Sequence, residues 1–453
     1  MDKLDSMVSK YYDLGIDILD RLISKKSILD KFIPDSDMPF GKGNKECLEE
    51  FIKIGNELGF TTYNHNNYFG YIEYGSGSEL VLILCHLDVV PVISNEWKTD
   101  PFKLNIIDDT MYARGVTDDK GPLVSVLVAL KALKDEGYLP NKKIRLFAGC
   151  DEESGSRCLF EYKKVFGEAK YVFSPDSSFP VIIGEKSIIS YDIIGDVSED
   201  VFISCEAGER YNIVPSKCEF KLKKNLKYEF IEYLKNNKYR GGILNEDTYV
   251  VYGYASHAMD PDKGLNAIYI MFDFLNKYTI SNLARFIDKY YLWDNKGKKA
   301  GYDDSNDAFG ELTSNLAILR INGSKLRMGF NVRGISDNNY DTISDKVSKN
   351  VREFGYDLIM LNNNEIHYVN PENELVTKLL NVYKNLTNDK LQKPITIGGG
   401  TYAREMECAV AFGPLMPGRE DVCHIANEYM YIDDFINAIK VYVVAIYNLC
   451  KWD

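Results

Sequence analysis

Positive charge, histidine, paired cysteines and long apolar runs are all scarce in this sequence. Its 453 residues carry 54 Lys and Arg against 67 Asp and Glu, a formal net charge of −13. A surface that acidic repels phosphate, which excludes nucleic acid and anionic membranes as natural partners. The nine cysteines are odd in number, and none forms a Cys-x-x-Cys pair. Cys85 in VLILC and Cys150 in IRLFAGC sit in apolar runs and read as buried free thiols, which suits a reducing compartment. No apolar run approaches the roughly 18 residues of a membrane span. The first residues, MDKLDSMVSKYYDLGIDILDRL, carry acidic side chains where a signal peptide needs an apolar core. Leu14, Ile18 and Leu22 recur instead at the spacing of an amphipathic helix. The expected location is cytoplasmic.

What is present is a change of pattern along the chain. Up to about residue 187, apolar runs alternate with helical stretches. ELVLILCHLDVV, KKIRLFAGCDEES and KYVFSPDSS each hold a short apolar run followed by polar residues, as expected of strands buried on both faces. Between the first two lies GPLVSVLVALKALKDEG, with Pro122 near its start and Gly137 at its end, a helix by those signals. This β-α-β order predicts an α/β fold with a doubly wound, mostly parallel sheet. From 188 to 369 the pattern is α+β, with strand-like SIISYDII, KCEFKLKK, DTYVVYGYA and RMGFNVRGI. After 370 come helical ENELVTKLLNVYKNLT, strand-like VAFGPL and a final helix in DDFINAIKVYVVAIYNL. The simplest organisation is one domain built from 1–187 and 370–453, with a second domain inserted over 188–369.

Three predicted strand ends carry the same kind of residue: His86-Leu87-Asp88, then Asp151-Glu152-Glu153, then Asp176. A fourth acidic group, Asp118, precedes the helix at Pro122. Each alone has a bland explanation: a surface pair, a solvated face, or a helix cap. Together they gather at the carboxyl edge of one open sheet, where functional groups of such sheets collect. Carboxylates crowded there resist ionisation, and a divalent cation removes that cost. Imidazole with carboxylates and no thiolate suits zinc, manganese or cobalt. Only five histidines exist; His65 and His367 have no such context and read as structural.

CHLDVVP, RGVTDDKGP, CDEESGS and FSPDSS resemble motifs of the aminoacylase and carboxypeptidase-G superfamily of dinuclear metallopeptidases. The match is nearest to its bacterial branch of broad-specificity dipeptidases, the dipeptidase V or carnosinase-like enzymes. GERYNIVPSKCEF, YASHAMDPDKGLNAI, GFNVRG, IGGGTYAREM and PGREDVCHIANEY continue the resemblance in order. It implies a catalytic domain with an inserted lid domain that closes over it, and two divalent metal ions per chain, zinc first, with manganese or cobalt as alternatives. Asp118 would bridge both metals, His86 and Asp176 would complete one site, and Glu153 and His424 the other. Glu152 would be the general base toward a water held by the metals, and Asp88 would support His86. His257 would stabilise the oxyanion, with Asn212, Gly400 and Thr401 as substrate contacts. Arg333 would meet the substrate carboxylate; the Pro that usually follows that Arg is absent, since Gly334 and Ile335 stand there.

The implied reaction is hydrolysis of a dipeptide by a monomer with no nucleic-acid or membrane partner. Two other readings share these residues. One is an amide deacylase of the aminoacylase or desuccinylase type. The other is a non-catalytic metal-binding protein, against which the retention of Glu152 beside a full ligand set argues.

Overall fold

The computed structural model describes residues 2–245 and 247–450. These form two compact units: one from the chain through Gly184, Tyr368–Ile395 and the chain from Gly400 on, the other from Glu185–His367 with Thr396–Gly399. The stretch 396–399 groups with the middle of the chain, because Thr396 Oγ1 donates to the Ala308 carbonyl at 2.6 Å and the Gly398 carbonyl accepts from Arg333.

The core of the first unit is a sheet whose centre is parallel. Leu80–His86 lies between Lys143–Gly149 and Tyr171–Ser174, and Ala409–Ala411 follows, each pairing parallel to the next. The apolar runs are continuous because both faces are covered: Val81 through Cys85 are fully buried. The edges are antiparallel. Thr61–His65 and Phe69–Tyr74 form a hairpin against Lys143–Gly149, and its turn uses positive φ at Asn66 and Asn67 (48° and 60°), a conformation Asn tolerates well.

Helix Lys120–Asp135 crosses between the parallel strands and is buried over most of its length. It packs against helices Tyr12–Ile23 and Ile432–Cys450 as well as against the sheet, which explains its apolar residues all round. Lys120, fully buried, points its ammonium at the end of helix Tyr12–Ile23 and donates to the Leu22 and Lys25 carbonyls at 3.0 Å each. The Leu22 carbonyl also accepts from Lys25 N at 3.2 Å and the Lys25 carbonyl from Ser27 N at 2.8 Å, so the ammonium shares these acceptors with the turn that ends the helix.

The second unit holds an eight-stranded antiparallel sheet centred on Phe202–Ala207, Thr313–Asn322, Lys325–Gly334 and Ser187–Asp196. Alternate residues such as Ile189, Tyr191 and Ile193 share a core with Phe272 and Leu275 of helix Ala267–Tyr278 and with Ile343 and Val347 of helix Asn339–Glu353. This period-two burial is what a sheet with a helical layer requires.

Candidate metal centre

The parallel strands of the first unit end on polar residues at one edge. Leu80–His86 delivers His86, Lys143–Gly149 leads into Asp151, Glu152 and Glu153, and Tyr171–Ser174 leads into Asp176. Asp118 sits on the loop before helix Lys120–Asp135, joined to Asp119 by a cis peptide. His424 comes from the loop after Pro414–Leu415 in a left-handed conformation, φ 65°.

These residues meet. His86 Nε2 lies 2.8 Å from Asp118 Oδ1 and 3.6 Å from Asp176 Oδ2. His424 Nε2 lies 2.9 Å from both Asp118 Oδ2 and Glu153 Oε1. Two donor sets result, His86–Asp118–Asp176 and Asp118–Glu153–His424, each with ligand atoms within 4.8 Å of one another. Asp118 belongs to both, one oxygen toward each imidazole.

The electrostatics are those of a cluster with too many carboxylates. Burial pushes the carboxyls of Glu152 and Asp176 well above the usual range, and nearby Glu153, Asp118 and Asp119 add to it. Glu153 is raised by burial and by Asp118. Asp118 goes the other way: against the cost of burial, hydrogen bonds with His424 and His86 hold it well below the carboxylate range. Burial works against His424, yet Asp118 and Glu153 raise it to about 11. Two imidazoles and three carboxylates, with no thiolate in either set, are the hard-to-borderline donors that zinc, manganese and cobalt take. His86 also has the arrangement of a metal-ligating imidazole, since its Nδ1 is 2.9 Å from the Asp88 carbonyl, leaving Nε2 to face the cluster.

A model of peptidase family M20/M25/M40 matches residues 82–448. The chain belongs to this peptidase family. A protein of Staphylococcus epidermidis named "Putative dipeptidase" is 34% identical over 469 residues, covering 98% of this chain and 99% of that one. A relative from Staphylococcus haemolyticus with a name of the same kind is 34% identical over 463 residues, covering 98% of both. Among solved structures, human carnosine dipeptidase 1 has a TM-score of 0.59 at 15% identity, covering 100% of each chain. The dipeptidase Dug1p of Saccharomyces cerevisiae has a TM-score of 0.59 at 16% identity, covering 98% of each. Those two likenesses carry the fold. Peptidases of this family are hydrolases that use divalent metals, usually two, and this chain is a peptide hydrolase.

Asp88 takes a larger part than support of His86. Its carboxylate oxygens accept the backbone N–H groups of Glu152 and Glu153 at 3.0 Å each, while its distance to His86 Nδ1 is 3.5 Å. It therefore fixes the turn that presents both glutamates. Asp119, to which the motif reading gave no role, accepts the N–H of His86 at 3.0 Å; the only sequence signal is the Asp-Asp doublet. Asp151 holds Arg157 through Oδ1 and Oδ2 at 2.6 Å each and closes the following loop.

Asn212, His257 and Arg333 belong to the second unit. A bridge pairs Ile213 with His257, and the Asn212 carbonyl accepts from Ala258 N at 2.8 Å. The Ala258 carbonyl accepts from Thr313 Oγ1 at 3.2 Å, and Thr313 stands opposite Arg333 in the sheet. The three are thus linked through neighbouring backbone and the Thr313 hydroxyl. Arg333 is buried, with Nε on Asn331 Oδ1 at 2.9 Å and one terminal nitrogen on the Gly398 carbonyl at 2.8 Å. In the first unit, Gly400 precedes Thr401, whose hydroxyl accepts from Ala403 N at 3.1 Å and caps a short 3₁₀ turn. Among the described residues no helix is long and apolar enough to cross a membrane.

Proposed function

We propose that this peptidase hydrolyses the peptide bond of dipeptides at a pair of divalent cations, zinc first, with manganese or cobalt as alternatives. The observation that carries this reading is the sharing of Asp118 between two donor sets, with the carboxyl of Glu152 close enough to feel the charges of Glu153 and Asp118. His86, Asp118 and Asp176 would hold one cation, and Asp118, Glu153 and His424 the other. Such cations supply Lewis acidity and make water a nucleophile near neutral pH.

The chain's own groups do the rest. Glu152 is assigned to neither donor set, so its carboxylate can take the proton of the attacking water and hand it to the leaving amine. Burial raises its affinity for that proton, and neighbouring cations would lower it again by favouring the carboxylate. Asp88 fixes the backbone of Glu152 and Glu153, which keeps base and ligand apart by one residue. His257 would donate to the oxygen that gains charge. Arg333 would meet the free carboxylate of a short peptide, a geometry guanidinium suits. Asn212, Gly400 and Thr401 would be further contacts to the peptide. The names of the staphylococcal relatives favour dipeptides over acylated amino acids. The acidic chain is read as a monomeric cytoplasmic enzyme.

The test is a panel of Ala-Ala, other dipeptides and N-acetyl amino acids. It is assayed on metal-stripped protein after adding back zinc, manganese or cobalt singly. Turnover of dipeptides with at least one metal supports the reading. Turnover confined to N-acetyl amino acids makes the protein a deacylase instead.

A further inference from the structure

The segment that carries Asp118 is wrapped around a carboxylate from the far end of the chain. Glu428 is fully buried. Its Oε1 accepts the backbone N–H groups of Gly115 at 3.1 Å, Thr117 at 2.8 Å and Asp118 at 3.3 Å. Its Oε2 accepts from the Arg114 guanidinium at 2.6 Å and from Gly115 N at 3.2 Å. The Glu428 carbonyl accepts from Ala113 N at 3.3 Å, and Thr117 Oγ1 donates to the Tyr429 carbonyl at 2.8 Å. Strand pairing of Tyr112 with Tyr429 continues the seam.

A structural ion pair with Arg114 would need none of the backbone contacts. Here the carboxylate gathers three N–H groups of one loop, those of Gly115, Thr117 and Asp118, and the last belongs to the proposed bridging ligand itself. Glu428 also lies four residues after His424 in the chain. Between them, Asn427 is anchored by its side chain to Lys98 N at 2.7 Å and to the Glu96 carbonyl at 3.1 Å. One buried side chain therefore ties together the two loops that bring Asp118 and His424 within 2.9 Å of each other.

We propose that Glu428 is a positioning residue that fixes Asp118 relative to His424, and so sets the affinity of the Asp118–Glu153–His424 set for a divalent cation. This rests on the reading of that set as a metal site. Groups that orient ligands from behind characteristically change metal affinity by about 10–100-fold when removed.

The experiment is a zinc titration of the full metal-stripped chain against a competing chromophoric chelator, for wild type and Glu428→Gln, with thermal melting of the metal-free forms alongside. The amide keeps the shape, but it removes the charge facing Arg114 and places an NH₂ among N–H donors. The second zinc should bind about 10–100-fold more weakly in the variant. Its kcat at limiting zinc should fall while KM holds, and excess zinc should restore kcat. Where the Gln variant does not fold, Glu428→Asp keeps the charge and shortens the reach, and it should also weaken the second zinc. Wild-type zinc affinity in either folded variant overturns the proposal, whatever the melting temperature does. Failure of the wild-type chain to bind zinc, manganese or cobalt would overturn the metal-site reading itself, and this proposal with it.

Discussion

The strand-end cluster of the first unit and the polar group of the second differ in what their surroundings demand. His86, Asp118, Glu153, Asp176 and His424 are crowded, and burial drives the carboxyls of Glu153 and Asp176 away from ionisation. Such a set has a ready physical purpose only with cations. In the second unit, Arg333 is instead engaged by Asn331 and Gly398, and His257 Nδ1 accepts from Met259 N at 3.2 Å. A candidate metal centre thus announces itself through the cost of its own charges, whereas the residues proposed to orient a substrate rest on the sequence resemblance.

Metal removal breaks the comparison most completely. Chelation should abolish activity, and elemental analysis of the reloaded protein should return about two metals per chain. Full activity in metal-free protein would remove the chemical distinction between the two regions.

Glu152→Gln acts inside the cluster without touching a proposed ligand. We expect both metals to be retained and kcat to fall by roughly 10²–10⁴, the usual contribution of a general base. Loss of metal instead would exchange the roles of Glu152 and Glu153.

His257→Ala belongs to the other region. Metal content should stay at the wild-type value while kcat falls by roughly 10²–10³, the scale for one oxyanion donor. A wild-type rate would leave the second unit without a part in the chemistry. Arg333→Ala sharpens the same point. It should damage dipeptide hydrolysis and blunt discrimination against C-terminally amidated dipeptides. Equal wild-type activity on free and amidated substrates would rule that role out.

The smallest expected effect is on protons. In metal-free protein His424 is held protonated by Asp118 and Glu153 up to about pH 11, and a metal needs the neutral imidazole. Metal binding at pH 7 should therefore release protons and tighten as pH rises. Calorimetry in two buffers of different ionisation enthalpy reads this directly, and an identical heat in both would contradict it.

Much of the first unit was legible because its signals are local. VLILCH suits a strand covered on both faces, and Pro122 with Gly137 bracketed helix Lys120–Asp135. The edge hairpin Thr61–Tyr74 was not anticipated, although its Asn-Asn turn carries the signal. The proposed ligands stood out because His86, Glu153 and Asp176 all follow apolar runs. Glu428 had no such mark. Its role depends on backbone N–H groups more than 300 residues earlier in the chain, and a contact of that range leaves no local pattern. The grouping of 396–399 with the middle of the chain is of the same kind, since it rests on Ala308 and Arg333.

The central claim is that Asp118 is shared by two cations. Anomalous diffraction at the zinc edge, from crystals of the zinc-loaded protein, tests it most directly. The account predicts two peaks flanking Asp118, one against His86 and Asp176 and the other against Glu153 and His424. A single peak, or two peaks neither of which touches Asp118, would contradict it.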